Sequence, residues 1–485
     1  MESSRARPNI IILIVDAVRA KHMSAYGYPV ETTPHLDALA ADNVLFQRAF
    51  SPSTWTIPTH ASMLSGLYLS QHRIENVEAN RRFNEKIVTL PQALRSGGYR
   101  TAAFSQNMLF SPAHHLGGFD QFYEMGEVLL SRRLSRFVQH MSAGSTGLRR
   151  KAARYVRKVM SPRLLLDAAF DWISAGGDRS PFFLMVNVTN AHYPWALPPD
   201  ILLRRVGLNP KVLLDEDLVT LKPFEFNSGK RRVSDAHRQT WRRFYDAALT
   251  HVDREVGRFV HRLSQWKEWG ETIFVVTADH GEGLGDYRDI VGHTLTLHDN
   301  IIHVPLIIRH PQYPRGMEVE GVVQTLDLYP SIVEWAELPP DRFARAQMQR
   351  PPLSKAMAAP HECAGLAFAE EDYTDSYDLL EGLRSVNPAM DPKKYPRQQI
   401  AVHSATHKYI WFDDRPGEFY DMVADPQEEH DLTNGKTATE QAALTELQQA
   451  LETWRSDLEV FPPRSVDAEM DGVILERLRD LGYVA

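Results

Sequence analysis

The sequence predicts an α/β fold built round a mostly parallel sheet, and three observations carry that prediction. Short apolar runs without alternation recur at 10–15, 182–188 and 272–277, the pattern of strands buried on both faces. Segments of helical character fall between them, at 33–40, 90–96 and 246–266, and such alternation argues for parallel pairing. Carboxylates follow two of the runs: Asp16 comes directly after Val15, and Asp279 follows Thr277-Ala278. In sheets of this kind functional groups gather at the carboxyl ends of strands.

In chain order, the first strand is the run 10–15. Thr33-Pro34-His35-Leu36 then opens a helix, with a hydroxyl residue before a proline. A short strand at 44–49 leads to Thr56-Ile57-Pro58-Thr59-His60 and Ala61-Ser62-Met63-Leu64-Ser65-Gly66. That layout sets a hydroxyl at a helix start, where backbone N–H groups favour anions; the helix is expected to begin at 62–65, after the turn. The helix 90–96 turns at Gly97-Gly98 into a strand ending near Phe104. Strands at 182–188, 272–277, 305–308 and 322–324 and the long helix 246–266 complete a catalytic domain expected at 8–345. Pro339, Pro340 and the prolines of 347–360 mark a connection. Beyond it, short strands at 365–369, 399–404, 408–412 and 418–420, then helices from Ala438, predict a small C-terminal α+β domain at 360–485 with terminal helices.

The 485 residues, 43% hydrophobic, suffice for a large core and a second domain. A formal net charge of -8 argues against a general nucleic-acid binder. A single cysteine, Cys363, excludes an intrachain disulfide and a cysteine-rich metal knuckle. The polar N-terminus and the brevity of the run 10–15 do not make a secretory leader, and no stretch approaches the roughly 20 apolar residues of a membrane span. A cytoplasmic protein is therefore expected; oligomeric state is not legible. One segment stands apart: 131–166 lacks Asp and Glu and carries Arg132, Arg133, Arg136, Arg149, Arg150 and Lys151 among others. It reads as a basic helical insertion, a solvated face or a contact for an anionic membrane surface.

Pro8-Asn9-Ile10 through Asp16, Thr33-Pro34-His35-Leu36-Asp37, Thr56 through Gly66, Gly98-Tyr99-Arg100-Thr101, Asp279-His280-Gly281-Glu282 and Val304-Pro305-Leu306-Ile307-Ile308 occur in that order. Together they resemble the sulfatase family of the alkaline phosphatase superfamily. The resemblance implies an alkaline-phosphatase-like sandwich with a small C-terminal domain. It also implies one divalent metal ion held by Asp16, Thr56, Asp279 and His280, with Thr56 as nucleophile. Carboxylates and an imidazole suit a hard-to-borderline cation; manganese or zinc is favoured, with calcium and magnesium as alternatives. His192, in Asn190-Ala191-His192-Tyr193-Pro194, falls where the family has its leaving-group acid, and His293 where it has a lysine. His60 and Asn107 are the substrate-binding candidates, and His72 reads as packing.

The sequence departs from the family together at several points. Ala17 replaces a second acidic residue, His60 an arginine, and Asn107 falls in a segment that has lost the family's lysine and histidine. The nucleophile itself differs. A register through Ser51-Pro52-Ser53 would put Phe50 at the reacting position, so Thr56-x-Pro58-x-His60 is the better match. Sulfatases convert a cysteine or serine there to formylglycine; threonine, with its extra methyl, would give a ketone. A phospho-threonine is resolvable by water or an acceptor alcohol, whereas a sulfo-threonine lacks the aldehyde exit. The expected function is a metal-dependent hydrolase or transferase of small anionic phosphate mono- or diesters through covalent Thr56. The alternatives are a sulfuric ester hydrolase and a catalytically silent binding protein of the same fold.

Overall fold

The computed structural model describes residues 7–75, 81–111, 116–124, 161–176, 180–193, 195, 199–209, 211–212, 218, 221–373, 379–391 and 393–465. Most of the basic stretch 131–166 lies outside the described residues, as does anything helical beyond 465; residues 162–166 open a helix.

Eight strands form the central sheet: β1 (Asn9–Val15), β2 (Val44–Phe50), β3 (Arg100–Ser105), β4 (Gln121–Glu124), β5 (Phe182–Val188), β6 (Thr272–Thr277), β7 (Leu306–Arg309) and β8 (Met317–Gln324). Their order is β8-β2-β7-β6-β1-β5-β3-β4. Neighbours pair in parallel except at β7, which runs antiparallel to both β6 and β2. β1 lies near the centre, and its apolar run from Ile10 to Val15 is explained by burial on both faces. Ile11, Leu13 and Val15 join one core, Ile10, Ile12 and Ile14 the other.

The first core is covered by α1 (Pro34–Ala41), α4 (Pro162–Ala175) and α5 (Asp235–Ser264). The second is covered by α2 (Thr56–Ser65), α3 (Leu90–Ser96) and α6 (Leu328–Trp335). The result is a three-layer sandwich. A second sheet of four antiparallel strands, β9 (Ala367–Asp372), β10 (Gln398–His403), β11 (His407–Phe412) and β12 (Glu418–Asp421), follows. One side of it packs on Phe50, Leu297 and Ile301 of the large unit, the other on Leu444, Leu447 and Leu451 of α7 (Ala438–Asp457). Lys408 of β11 is fully buried at this junction, 2.9 Å from Asp299 and 2.7 Å from Glu428.

Several boundaries differ from the sequence expectation. α2 begins at Thr56 itself, not after the turn, because Pro58 falls in its first turn, where the missing N–H has no intrahelical partner to lose. α5 begins at Asp235, eleven residues before the expected start at 246, capped by the Ser234 side chain accepting from His237 N–H. Its charged first turns obscured the apolar stripe of Trp241, Phe244 and Ala248. β8 is longer than expected because its start, Met317 to Glu320, is edge strand in which Glu318 and Glu320 alternate with Met317 and the buried Val319. Among the described residues, no helix is long and apolar enough to cross a membrane.

Candidate active site

The site lies at the carboxyl ends of the central strands. Asp16 follows β1, Asn107 follows β3, Asn187 is the penultimate residue of β5 with His192 beyond it, and Asp279 and His280 follow β6. Thr56 opens α2 after the loop leaving β2. Parallel pairing brings these ends side by side although the residues are up to 264 positions apart (280 − 16).

Thr56 Oγ1 is 3.3 Å from Asp279 Oδ2, and Asn107 Nδ2 donates to it at 3.0 Å. The same Asn107 amide donates to Asp16 Oδ2 at 2.5 Å. Asp279 Oδ1 accepts from Ala17 N–H at 3.2 Å and His280 N–H at 3.0 Å, leaving Oδ2 turned to Thr56. The Ala17 contact requires left-handed backbone, φ 60°, a conformation that costs a non-glycine residue about 1–2 kcal/mol. Tyr245 of α5 holds the turn, donating to Ala17 O at 2.8 Å and accepting from Arg19 N–H at 2.9 Å. Gly281 is required for a close approach: a Cβ there would stand 2.1 Å from Asn300 O.

His280 Nδ1 donates to Gly281 O at 2.8 Å, so its Nε2 carries the lone pair. That Nε2 lies 3.7 Å from Asp16 Oδ1 and 3.5 Å from Asp279 Oδ2. His280 Nε2 and Asp16 Oδ1 are both buried with no hydrogen-bond partner. Donors 3.3–3.7 Å apart subtend about 100–125° at an ion about 2.1 Å from each. Two carboxylates, a hydroxyl and an imidazole with orphaned lone pairs therefore fit one divalent cation. Burial and the charge of Asp279 push the Asp16 carboxyl well above the usual range. Burial works on Asp279 too, but the fields of His280 and His60 leave it below its ordinary value. Burial takes His280 down to about 4, despite the attraction of Asp279.

His60 sits beneath Thr56, wholly buried and stacked on Phe110 at 4.5 Å. Its Nδ1 donates to Thr56 O at 2.8 Å, and its Nε2 accepts from Asn187 Nδ2 at 3.1 Å. Burial holds its pKa below the ordinary value. His192 and His293 meet with their Nε2 atoms 3.1 Å apart, beside His280. Burial, then the neighbouring His280 and His192, hold His293 well below the usual histidine range. His72 packs against α2, with Nε2 3.0 Å from Ser62 Oγ. Ser51 is bonded to Asp279 O at 2.5 Å and braces the strand end.

Two participants had no role assigned from sequence. Asn187 lies at a strand end, which was a usable signal. Glu282 stands in the Asp279-His280-Gly281-Glu282 run; its Oε2 accepts from Tyr193 N–H at 3.0 Å and its Oε1 is buried without a partner.

A family model described as sulfatase matches residues 8–338, a span containing the whole central sheet. The chain is 23% identical over 477 residues to the multifunctional alkaline phosphatase superfamily protein PehA of Trinickia caryophylli, covering 87% of this chain and 90% of that protein. It is 21% identical over 476 residues to an arylsulfatase of Clostridium perfringens, covering 89% and 91%. Among solved structures, a phosphonate monoester hydrolase of Agrobacterium radiobacter superposes with TM-score 0.68 at 22% identity, over 95% of this chain and 100% of that one. A protein solved with its substrate D-glucosamine-2-N,6-O-disulfate superposes with TM-score 0.67 at 19% identity, over 93% and 99%. With an alkaline-phosphatase-like fold and a donor set suited to a cation, the family match is decisive: this chain belongs to the sulfatase family, metal-dependent hydrolases acting on esters.

Proposed function

We propose that the chain cleaves small phosphate mono- or diesters with Thr56 as a covalent nucleophile. The observation that carries this is the Thr56 hydroxyl, 3.3 Å from Asp279 Oδ2 and 3.0 Å from Asn107 Nδ2, at the convergence of Asp16, Asp279 and His280. A threonine hydroxyl cannot become the aldehyde hydrate by which formylglycine expels sulfate. A phospho-threonine instead breaks down by in-line attack of water.

In this reading the divalent cation, manganese or zinc, supplies Lewis-acid stabilisation and lowers the pKa of the nucleophile. Thr56 Oγ1 releases its proton toward Asp279 and bonds to phosphorus as the bond to the leaving oxygen breaks. The Asn107 amide holds Thr56 Oγ1 with one N–H and Asp16 Oδ2 with the other, fixing the hydroxyl beside the carboxylates. His192 and His293 meet the leaving-group oxygen, His192 as proton donor. His60 is a positioning residue: neutral and buried, it ties the Thr56 carbonyl to Asn187 and fixes the first turn of α2. Relatives named as a phosphonate monoester hydrolase and as a multifunctional superfamily member support phosphorus chemistry.

The test is a panel of aryl phosphate, phosphodiester, phosphonate ester and aryl sulfate, assayed with manganese, zinc, calcium or magnesium. Phosphorus esters should show the higher kcat/KM, and Thr56→Ala should lose about a thousandfold or more in kcat. Faster turnover of the sulfate would overturn the preference. Undiminished Thr56→Ala activity would remove the nucleophile. The second reading, a sulfuric ester hydrolase, is favoured by the arylsulfatase relative and by the neighbour bound to a disulfated sugar.

A further inference from the structure

Glu371 belongs to the C-terminal sheet, yet its side chain reaches the loops of the strand-end site. Successive residues of β9 face opposite sides. Ala367 and Ala369 pack with Phe50, Leu297 and Ile301 of the large unit, and Glu371 continues that face. Burying a carboxylate is costly unless donors surround it, and here four do. Oε1 accepts from Thr54 Oγ1 at 2.9 Å, from Leu295 N–H at 2.9 Å and from the Tyr373 hydroxyl; Oε2 accepts from Gln399 Nε2 of β10. Two of these donors lie on the segments that carry Thr56 and His293: Thr54 is two residues before Thr56, and Leu295 two residues after His293. Leu295 is held in left-handed backbone, φ 74°, uncommon for a residue other than glycine. Its N–H is shared between Glu371 and the Tyr373 hydroxyl, 3.0 Å away. Between the two segments, Thr54 O accepts from His293 Nδ1 at 3.2 Å, which sets the ring's tautomer. The backbone of β9 grips the same turn: Glu370 N–H donates to Pro52 O at 2.9 Å, and Ser53 Oγ donates to Glu370 O at 2.8 Å.

We propose that Glu371 is a positioning residue for His293, setting that ring against the leaving-group oxygen by tying Thr54 and Leu295 to one carboxylate oxygen. The inference rests on the place given above to His293 at the leaving group. Packing alone would be met here by an apolar side chain, as it is at Ala367 and Ala369. A carboxylate oxygen does more, because it accepts from both segments at once and fixes their separation. Thr54 then holds the imidazole from one side through its carbonyl, and Leu295 holds the chain from the other. A group that must meet a departing oxygen loses rate steeply when it is misplaced by even about 1 Å. The loss falls on esters whose leaving oxygen needs help to depart, and spares those whose leaving group is already stable as an anion.

The test compares phenyl phosphate with nitrophenyl phosphate by kcat/KM, on the full chain with its cation. The same two leaving groups as sulfates serve where sulfate is the faster ester, so the phosphorus preference is judged separately. On the phenyl ester Glu371→Leu and Thr54→Val should lose about tenfold or more, and on the nitrophenyl ester less than about twofold. His293→Ala should show the same contrast. Glu371→Gln, whose carbonyl can take the Oε1 place while Gln399 turns its amide, should stay within about threefold of wild type, as should Thr54→Ser, which keeps the hydroxyl. If Glu371→Leu does not fold, Thr54→Val, which removes a single hydroxyl, decides alone. With the contrast present in His293→Ala, equal losses on the two esters or no loss in Thr54→Val would overturn the role of Glu371 and leave His293 standing. Absence of the contrast in His293→Ala would remove His293 from the leaving group, and the inference with it.

Discussion

Replacing Asp16 by asparagine should move stability in opposite directions with and without a cation. The ligating carboxylate oxygens of Asp16 and Asp279 lie within 4.8 Å of one another, and both groups are fully buried. At an effective dielectric of about 20 that separation means a repulsion of at least about 3.5 kcal/mol when both are ionised. Part of this is relieved by a proton on Asp16, whose carboxyl is pushed well up by burial and then by Asp279. The asparagine removes the charge and keeps the local bonding. Its carbonyl can accept from Asn107 as Oδ2 now does, and its amide would face the His280 lone pair 3.7 Å away. In EDTA the variant should therefore be more stable than wild type, by about 1–3 kcal/mol. With manganese or zinc at about 100 times its Kd, wild type should gain about 2.7 kcal/mol at that centre. Losing one anionic ligand and about 10–100-fold in affinity would cut that gain to about 0.4–1.4 kcal/mol. Urea unfolding with and without cation measures both differences. A variant that is less stable in EDTA, and gains as much as wild type on adding the ion, would refute the two-carboxylate cation centre.

Two further predictions concern the scaffold. Lys408→Met should cost about 3–5 kcal/mol in urea unfolding, because it leaves Asp299 and Glu428 buried without their shared cation; adding Asp299→Asn and Glu428→Gln should recover most of the loss. Asp253, buried against the start of α1 and accepting from His35 and Leu36 N–H, is pushed by burial up to about 7. A folded pKa above the unfolded one means the native state keeps a proton the unfolded chain has lost. Its contribution is therefore full below about pH 4 and lost as pH rises to about 7, by up to about 4 kcal/mol. Asp253→Asn should flatten that decline in pH-dependent unfolding; an unchanged profile would assign it elsewhere.

The alternation of apolar runs and helices was legible because burial on both faces leaves strands such as β1 with no polar residue after Asn9 to hide the pattern. Thr56, Asp16, Asp279 and His280 were legible for a related reason: each abrupt end of an apolar run, or proline-marked helix start, is where an α/β sheet exposes its working groups. Elements whose burial is one-sided were harder. The start of α5 is charged where it meets solvent, and the edge strand β8 opens with glutamates between its apolar residues, so both boundaries differ from expectation.

The sequence by itself determined the fold class, the family and the kinds of donor at the centre, since these depend on local pattern and short motifs. Only the tertiary structure decided what each donor faces. It put His60 under Thr56, with both ring nitrogens engaged. It aimed one Asn107 amide at Asp16 and Thr56 together, and turned His192 and His293 toward each other. Apart from the Thr56 carbonyl that His60 meets one helical turn away, such orientations are set by groups on strand ends up to hundreds of residues apart, which no spacing within a motif encodes.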